Sequence, residues 1–111
     1  KRSVAKAPLD LYRSRNSMGP RMEHVRPKDV KLTQQNGVDW IYPNSGGVST
    51  FEQRFWRARK WRLLPHGTDF SDLLVVWKDH GIHWVWEPAQ GMEFAEYVRL
   101  LSGLNAGFIP A

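Results

Sequence analysis

Two neighbouring runs in the second half of the chain set its pattern. Residues 73–78 (LLVVWK) and 82–87 (IHWVWE) are rich in β-branched and aromatic residues. Each run has the length and composition of a strand. Residues 79–81 (DHG) join them as a three-residue hairpin loop, with Gly81 available for positive φ. Period two then places His83, Val85 and Glu87 on one face and Trp84 and Trp86 on the other. Pro88 ends the second strand. Beyond it the period changes: Phe94, Tyr97, Val98, Leu101 and Leu104 recur at helical spacing. This predicts an amphipathic helix over residues 92–104, with Gly103 near its C-terminal end.

The first half carries shorter signals. Residues 9–13 (LDLYR) alternate as a half-buried strand, and residues 30–32, 40–42 and 61–64 read as further short strands. Phe51, Phe55 and Ala58 predict a short helix within residues 49–59. Gly19, Pro20 and Pro27 make residues 18–27 a loop, and Pro65-His66-Gly67 a turn. Strands outnumber helices, so the expected class is α+β with a mostly antiparallel sheet.

At 111 residues the chain is expected to be one domain. It has no cysteine, which excludes disulfides, a thiolate nucleophile and cysteine-ligated zinc. No apolar run approaches the length of a membrane span. No signal peptide is read, and the missing initial methionine is read as the mark of a trimmed or excised fragment. The net charge of +5 is uneven: residues 1–31 carry nine Lys/Arg against three Asp/Glu, the rest seven against eight. A basic first third suggests an anionic ligand such as nucleic acid or a phosphorylated cofactor. Residues 1–8 are expected to be a flexible, solvated arm.

Candidate chemistry centres on YPNSGGVSTF, residues 42–51, where Gly46 and Gly47 precede Ser49 and Thr50. Paired glycines permit a close approach to backbone, and the hydroxyls suit a ribose or phosphate. A glycine turn followed by a hydroxyl helix cap fits the same letters. Arg13, at the end of the first strand, could hold a pyrophosphate bidentately or simply face solvent. Glu87 could accept a hydrogen bond from a ribose hydroxyl and stabilise developing positive charge. His83 is expected to pack beside Trp77. The six tryptophans all follow the basic segment, which argues for core or cleft wall rather than a nucleic-acid stacking platform. The histidines lack helical metal-site spacing, so no metal is expected. No phosphate loop or dinucleotide fingerprint is present.

With these residues in place, LYRSR, YPNSGGVSTF, LLPHGTDFSDLLVVWKD, IHWVWEP and GMEFAEYVRLL together resemble the small ADP-ribosyltransferase toxins delivered by type VI secretion. The resemblance spans most of residues 9–104. It implies an ADP-ribosyltransferase-like split β-sandwich with NAD in the cleft between two small sheets. It further implies a secreted effector, monomeric when free, that acts in the target-cell cytoplasm and is blocked by a cognate immunity protein. On that resemblance Arg13 would hold the ADP-ribose phosphates, and Ser49, with Thr50 beside it, would contact the nicotinamide ribose. Glu87 would fill the ribose-binding carboxylate role, and Val48-Ser49-Thr50 departs from the usual Ser-Thr-Ser string. Arg13, Ser49 and Glu87 are then the expected catalytic residues. Tyr42, Gly47, Ser49, Thr50, Phe51 and Arg13 are the expected NAD-binding set. Tyr42, Phe51, Trp84 and Trp86 are candidates for the nicotinamide wall. ADP-ribose would pass directly to a target protein or nucleic acid, since no residue suggests a covalent intermediate. Two other readings fit the same sequence: a non-enzymatic nucleic-acid-binding module using the basic first third, and an NAD-using enzyme of the same fold that acts on RNA.

Overall fold

The computed structural model describes residues 3–15, 19–55 and 60–111. Among the described residues, ten strands and one α-helix follow in chain order: β1 (Ser3–Val4), β2 (Leu11–Arg15), β3 (Thr33–Gln35), β4 (Val38–Ile41), β5 (Val48–Phe51), β6 (Lys60–Leu64), β7 (Leu74–His80), β8 (His83–Pro88), β9 (Met92–Glu93), α1 (Phe94–Leu104) and β10 (Ile109–Pro110). They form a seven-stranded sheet ordered β1-β7-β8-β5-β2-β6-β10 and a three-stranded sheet ordered β3-β4-β9. Every named strand pairing is antiparallel, so the α+β class with a mostly antiparallel architecture holds.

One face of the large sheet packs the main core. Leu11, Val48, Leu64, Leu74, Val76 and Trp86 alternate onto it and are fully buried. They pack with Ile41 of the small sheet and with Tyr97, Leu100, Leu101 and Leu104 of α1. That i, i+3, i+4, i+7 set is a helical stripe. It takes in Leu100, which the expected stripe omitted, while Val98 is only half-buried. The helix starts two residues later than expected, because Met92–Glu93 pairs with β4. Glu96 in its first turn sits where the helix dipole favours an anion.

Three expectations are corrected. Residues 49–51 are strand, not the start of a helix: β5 pairs along its length with β8 and alternates buried and half-buried. Phe51 and Phe55 have helical spacing but meet edge-on, 4.8 Å apart, across a strand end. The remainder of that expected helix, residues 56–59, lies outside the described residues. Residues 3–8 are not a free arm. β1 adds to the edge of β7, Ala7 is 1% exposed, and backbone bonds join Ala5 to Phe70 and Ala7 to Gly67 and Thr68. Finally, the β7–β8 hairpin is tighter than expected. Strand pairing runs to His80↔His83, with a bulge between Lys78 and His80.

Candidate functional site

The face of the large sheet opposite the core carries the site. Register fixes its members: Tyr12 pairs with Phe51, Phe51 with His83, and Ser49 with Val85. Side chains of directly paired residues share a face, so Tyr12, Ser49, Phe51, His83, Val85 and Glu87 lie together. His83 and Ser49 are diagonal neighbours across β5 and β8, and Ser49 Oγ lies 2.5 Å from His83 Nε2. The other ring nitrogen, His83 Nδ1, lies 2.5 Å from Asp79 Oδ1 at the hairpin tip. A serine, an imidazole and a carboxylate therefore form a continuous hydrogen-bonded chain. Desolvation pushes the Asp79 carboxyl up, but the His83 hydrogen bond and the attraction of the His83 and His80 imidazoles when protonated outweigh it and hold Asp79 below the usual carboxylate range. With ionised Asp79 accepting the Nδ1 proton, Nε2 presents a lone pair to the serine hydroxyl. The chain can thus accept a proton at His83 and stabilise the resulting imidazolium.

Aromatic rings border this chain on one side. Phe51 meets His83 at 5.5 Å between ring centres, and Phe51, Phe55 and Trp61 contact one another edge-on. Trp61 is buried while Phe55 is 48% exposed, which gives the cluster a buried base and an open rim. On the same face the exposed Arg54 guanidinium lies 5.9 Å above the Tyr12 ring. Neither His83 nor Arg54 was among the residues expected to bind or react. His83 needed the β5–β8 register, although its spacing of four from Asp79 across a tight hairpin was a usable clue.

The expected site residues divide. Ser49, Phe51 and Glu87 share the site face, but Glu87 is only 2% exposed and its Oε1 accepts a 3.1 Å bond from the Asn44 backbone N–H. Arg13 and Thr50 alternate onto the core face. Arg13 is 9% exposed and points its guanidinium at main-chain carbonyls: Nε to Pro20, Nη1 to Ser49 at 2.7 Å and Nη2 to Arg21. β2 and β5 pair at Tyr12↔Phe51 alone, and beyond that point the guanidinium takes the place of the next rung. Arg13 is therefore neither a surface arginine nor a side chain reaching into an open cleft. Thr50 is fully buried; its hydroxyl accepts from Trp86 Nε1 at 3.0 Å and donates to the Trp84 carbonyl. Tyr42 follows the end of β4 in the small sheet, stacked on Trp40, bonded to Gln35 and packed against Gly91. Of the wall candidates, Trp86 belongs to the core and Trp84 to the face opposite Phe51.

The glycine pair has a different purpose from the one expected. A Cβ on Gly47 would sit 1.9 Å from the Trp86 carbonyl oxygen, and one on Gly46 2.2 Å from the Asp29 carbonyl oxygen. The room the glycines create is filled by the chain's own backbone rather than left for a ligand. Beside Gly47, the Tyr97 hydroxyl accepts from the Val48 N–H at 3.2 Å and donates to the Trp86 carbonyl at 2.7 Å. Burial pushes ionisation of that phenol far up, so it remains a neutral bridge in the ladder. The chain matches no protein-family model and no curated protein, so the site is read from its own geometry.

Proposed function

We propose that this chain is an NAD-dependent ADP-ribosyltransferase toxin domain acting on a macromolecule of the target cell. The observation that supports this reading is the grouping on one sheet face of Ser49 with its His83–Asp79 partners, the Phe51/Phe55/Trp61 rings and Arg54. These are the groups NAD asks for: a hydroxyl for the ribose, flat apolar rings for nicotinamide and a cation for the pyrophosphate. With the Arg13 guanidinium turned to three carbonyls, the phosphate role passes to Arg54. With Glu87 buried beneath the turn at Asn44, the place beside the ribose passes to Ser49 and His83.

In the reaction the bond between the anomeric carbon and the nicotinamide nitrogen breaks, and its electron pair leaves with nicotinamide. Positive charge develops on the ribose, as in glycoside cleavage. A lone pair of the target nucleophile forms the new bond to the anomeric carbon, and its proton goes to His83 Nε2. Asp79 stabilises the imidazolium so formed. The aromatic rim keeps water from competing for the exposed carbon. A domain of this kind would travel as a secreted effector, act in the target-cell cytoplasm and require a cognate immunity protein in the producing cell.

Biotinylated NAD incubated with lysate, followed by separate protease and nuclease treatment, tests the activity and the class of target. Label transfer that Ser49→Ala and Arg54→Ala abolish while both variants keep wild-type melting temperatures is the expected result. NAD should also raise the melting temperature of the wild type by mass action. Absence of both label transfer and a thermal shift at millimolar NAD would sink the proposal.

A further inference from the structure

The hairpin tip gathers three metal-ligating side chains that the transfer chemistry uses only in part. Asp79, His80 and His83 present donor atoms that all lie within 4.8 Å of one another. Asp79 Oδ1 is 2.5 Å from His83 Nδ1 and 3.3 Å from His80 Nδ1, and the two imidazoles stack at 4.8 Å. In a regular strand Asp79 and His80 would point to opposite faces. The bulge between Lys78 and His80 breaks that alternation and re-aims them to one side, opposite His83. The cross-strand ladder holds both ends of the set, so the three ligands are brought together before any ion arrives.

We infer that Asp79, His80 and His83 form a binding site for a divalent transition-metal ion, with zinc as the ion best matched to the donors. Two imidazoles and one carboxylate are borderline ligands that favour zinc, nickel or copper over magnesium or calcium. Tetrahedral coordination at metal–ligand distances of about 2.0–2.2 Å separates ligand atoms by roughly 3.3–3.5 Å. The His80–Asp79 spacing already matches, and the His83–Asp79 contact needs to open by less than an ångström. Water would complete the sphere, because Asp79 and His80 lie at the surface.

Such an ion would act on Ser49 through the imidazole between them. Metal on His83 Nδ1 leaves the ring proton on Nε2, 2.5 Å from Ser49 Oγ. The imidazole then donates to the serine, as a metal-bound histidine does to its outer partner. Without metal, Nδ1–H donates to Asp79 and Nε2 accepts from the serine. Occupancy of the hairpin tip thus reverses the direction of the Ser49 hydrogen bond and withdraws the proton acceptor from the site face. The metal site itself stands independently of the ADP-ribosyl transfer reading.

Titration of tag-free protein with zinc chloride by calorimetry tests the site, and nitrogen-15 shifts of the His83 ring read its tautomer. Saturable one-to-one binding is expected, together with a move of the His83 proton from Nδ1 to Nε2. His80→Ala should weaken binding about tenfold or more, whereas His66→Ala, in the exposed 65–67 turn, should leave it unchanged. The His80 side chain is 75% exposed, so its removal spares the fold. Absence of saturable zinc binding at millimolar zinc, or binding that survives both His80→Ala and Asp79→Asn, overturns the inference.

Discussion

Replacing Gly47 with alanine separates two meanings of the glycine pair. If the gap beside Gly47 serves a cofactor, the variant folds normally and loses only ligand affinity. If the Trp86 carbonyl fills it, the variant is damaged with no ligand present. The new Cβ would start 2.8 Å from the carbonyl carbon and 1.9 Å from its oxygen, the latter more than an ångström closer than real Cβ atoms tolerate. Nothing flexible can yield, since the obstacle is main chain in the neighbouring strand. β5 must therefore move away from β8 and stretch the Val48–Tyr97–Trp86 bridge. Forced overpacking costs about 1–3 kcal/mol. Two neutral hydrogen bonds at about 1 kcal/mol each add to it. The total is about 3–5 kcal/mol, a large share of the roughly 5–15 kcal/mol that holds a domain of this size. At about 4–8 °C per kcal/mol the melting temperature should fall by at least 12 °C or so. Urea unfolding followed by tryptophan fluorescence measures the change directly. A variant as stable as the wild type that has lost NAD binding would refute the steric assignment and restore the gap to the ligand.

Arg13→Ala should fail as a test of catalysis, because it strips hydrogen bonds from the Pro20, Arg21 and Ser49 carbonyls and lowers stability by about 3 kcal/mol or more. A fully stable, inactive Arg13→Ala would return this arginine to the cofactor. Stability should also decline in acid through Glu23. The hydrogen bond from Asn105 Nδ2, at 2.7 Å, holds its carboxyl below the ordinary value, and the nearby Arg21 adds to this. A depressed carboxylate contributes stability above its unfolded pKa, and that contribution is lost as pH falls through the folded one. Glu23→Gln should therefore flatten the stability profile below about pH 4.5; an unchanged acid slope would show that Glu23 is not a source of it.

The β7–β8 hairpin was legible because two runs rich in β-branched and aromatic residues flank a short turn, and the pairing register agrees with the faces expected for His83, Trp84, Val85, Trp86 and Glu87. The α1 stripe was legible because one period is sustained over three turns. β5 was misread because four residues are too few to fix a period, and Phe51 and Phe55 happened to fall at helical spacing. Arg13 and the glycines share another limit. Their partners are carbonyl oxygens of Pro20, Asp29, Ser49 and Trp86, and a main-chain atom leaves no trace in residue type. The Ser49–His83–Asp79 chain depended on knowing that β5 lies beside β8, a neighbour relation set by the whole sheet.

The short first strand has a consequence for how the protein stays dispersed. Among the described residues, β1 covers β7 at Val75 and Val76, and the stretch from Lys78 to His80 runs along an outer rim. An open rim invites a second chain to add its backbone, and proteins commonly discourage this with charge and irregular geometry. Here a lysine, an aspartate and a histidine occupy the rim, and the bulge bends it. The residues gathered at the hairpin tip therefore also guard against self-association, and replacing them with apolar ones would trade a binding cluster for an aggregation seed.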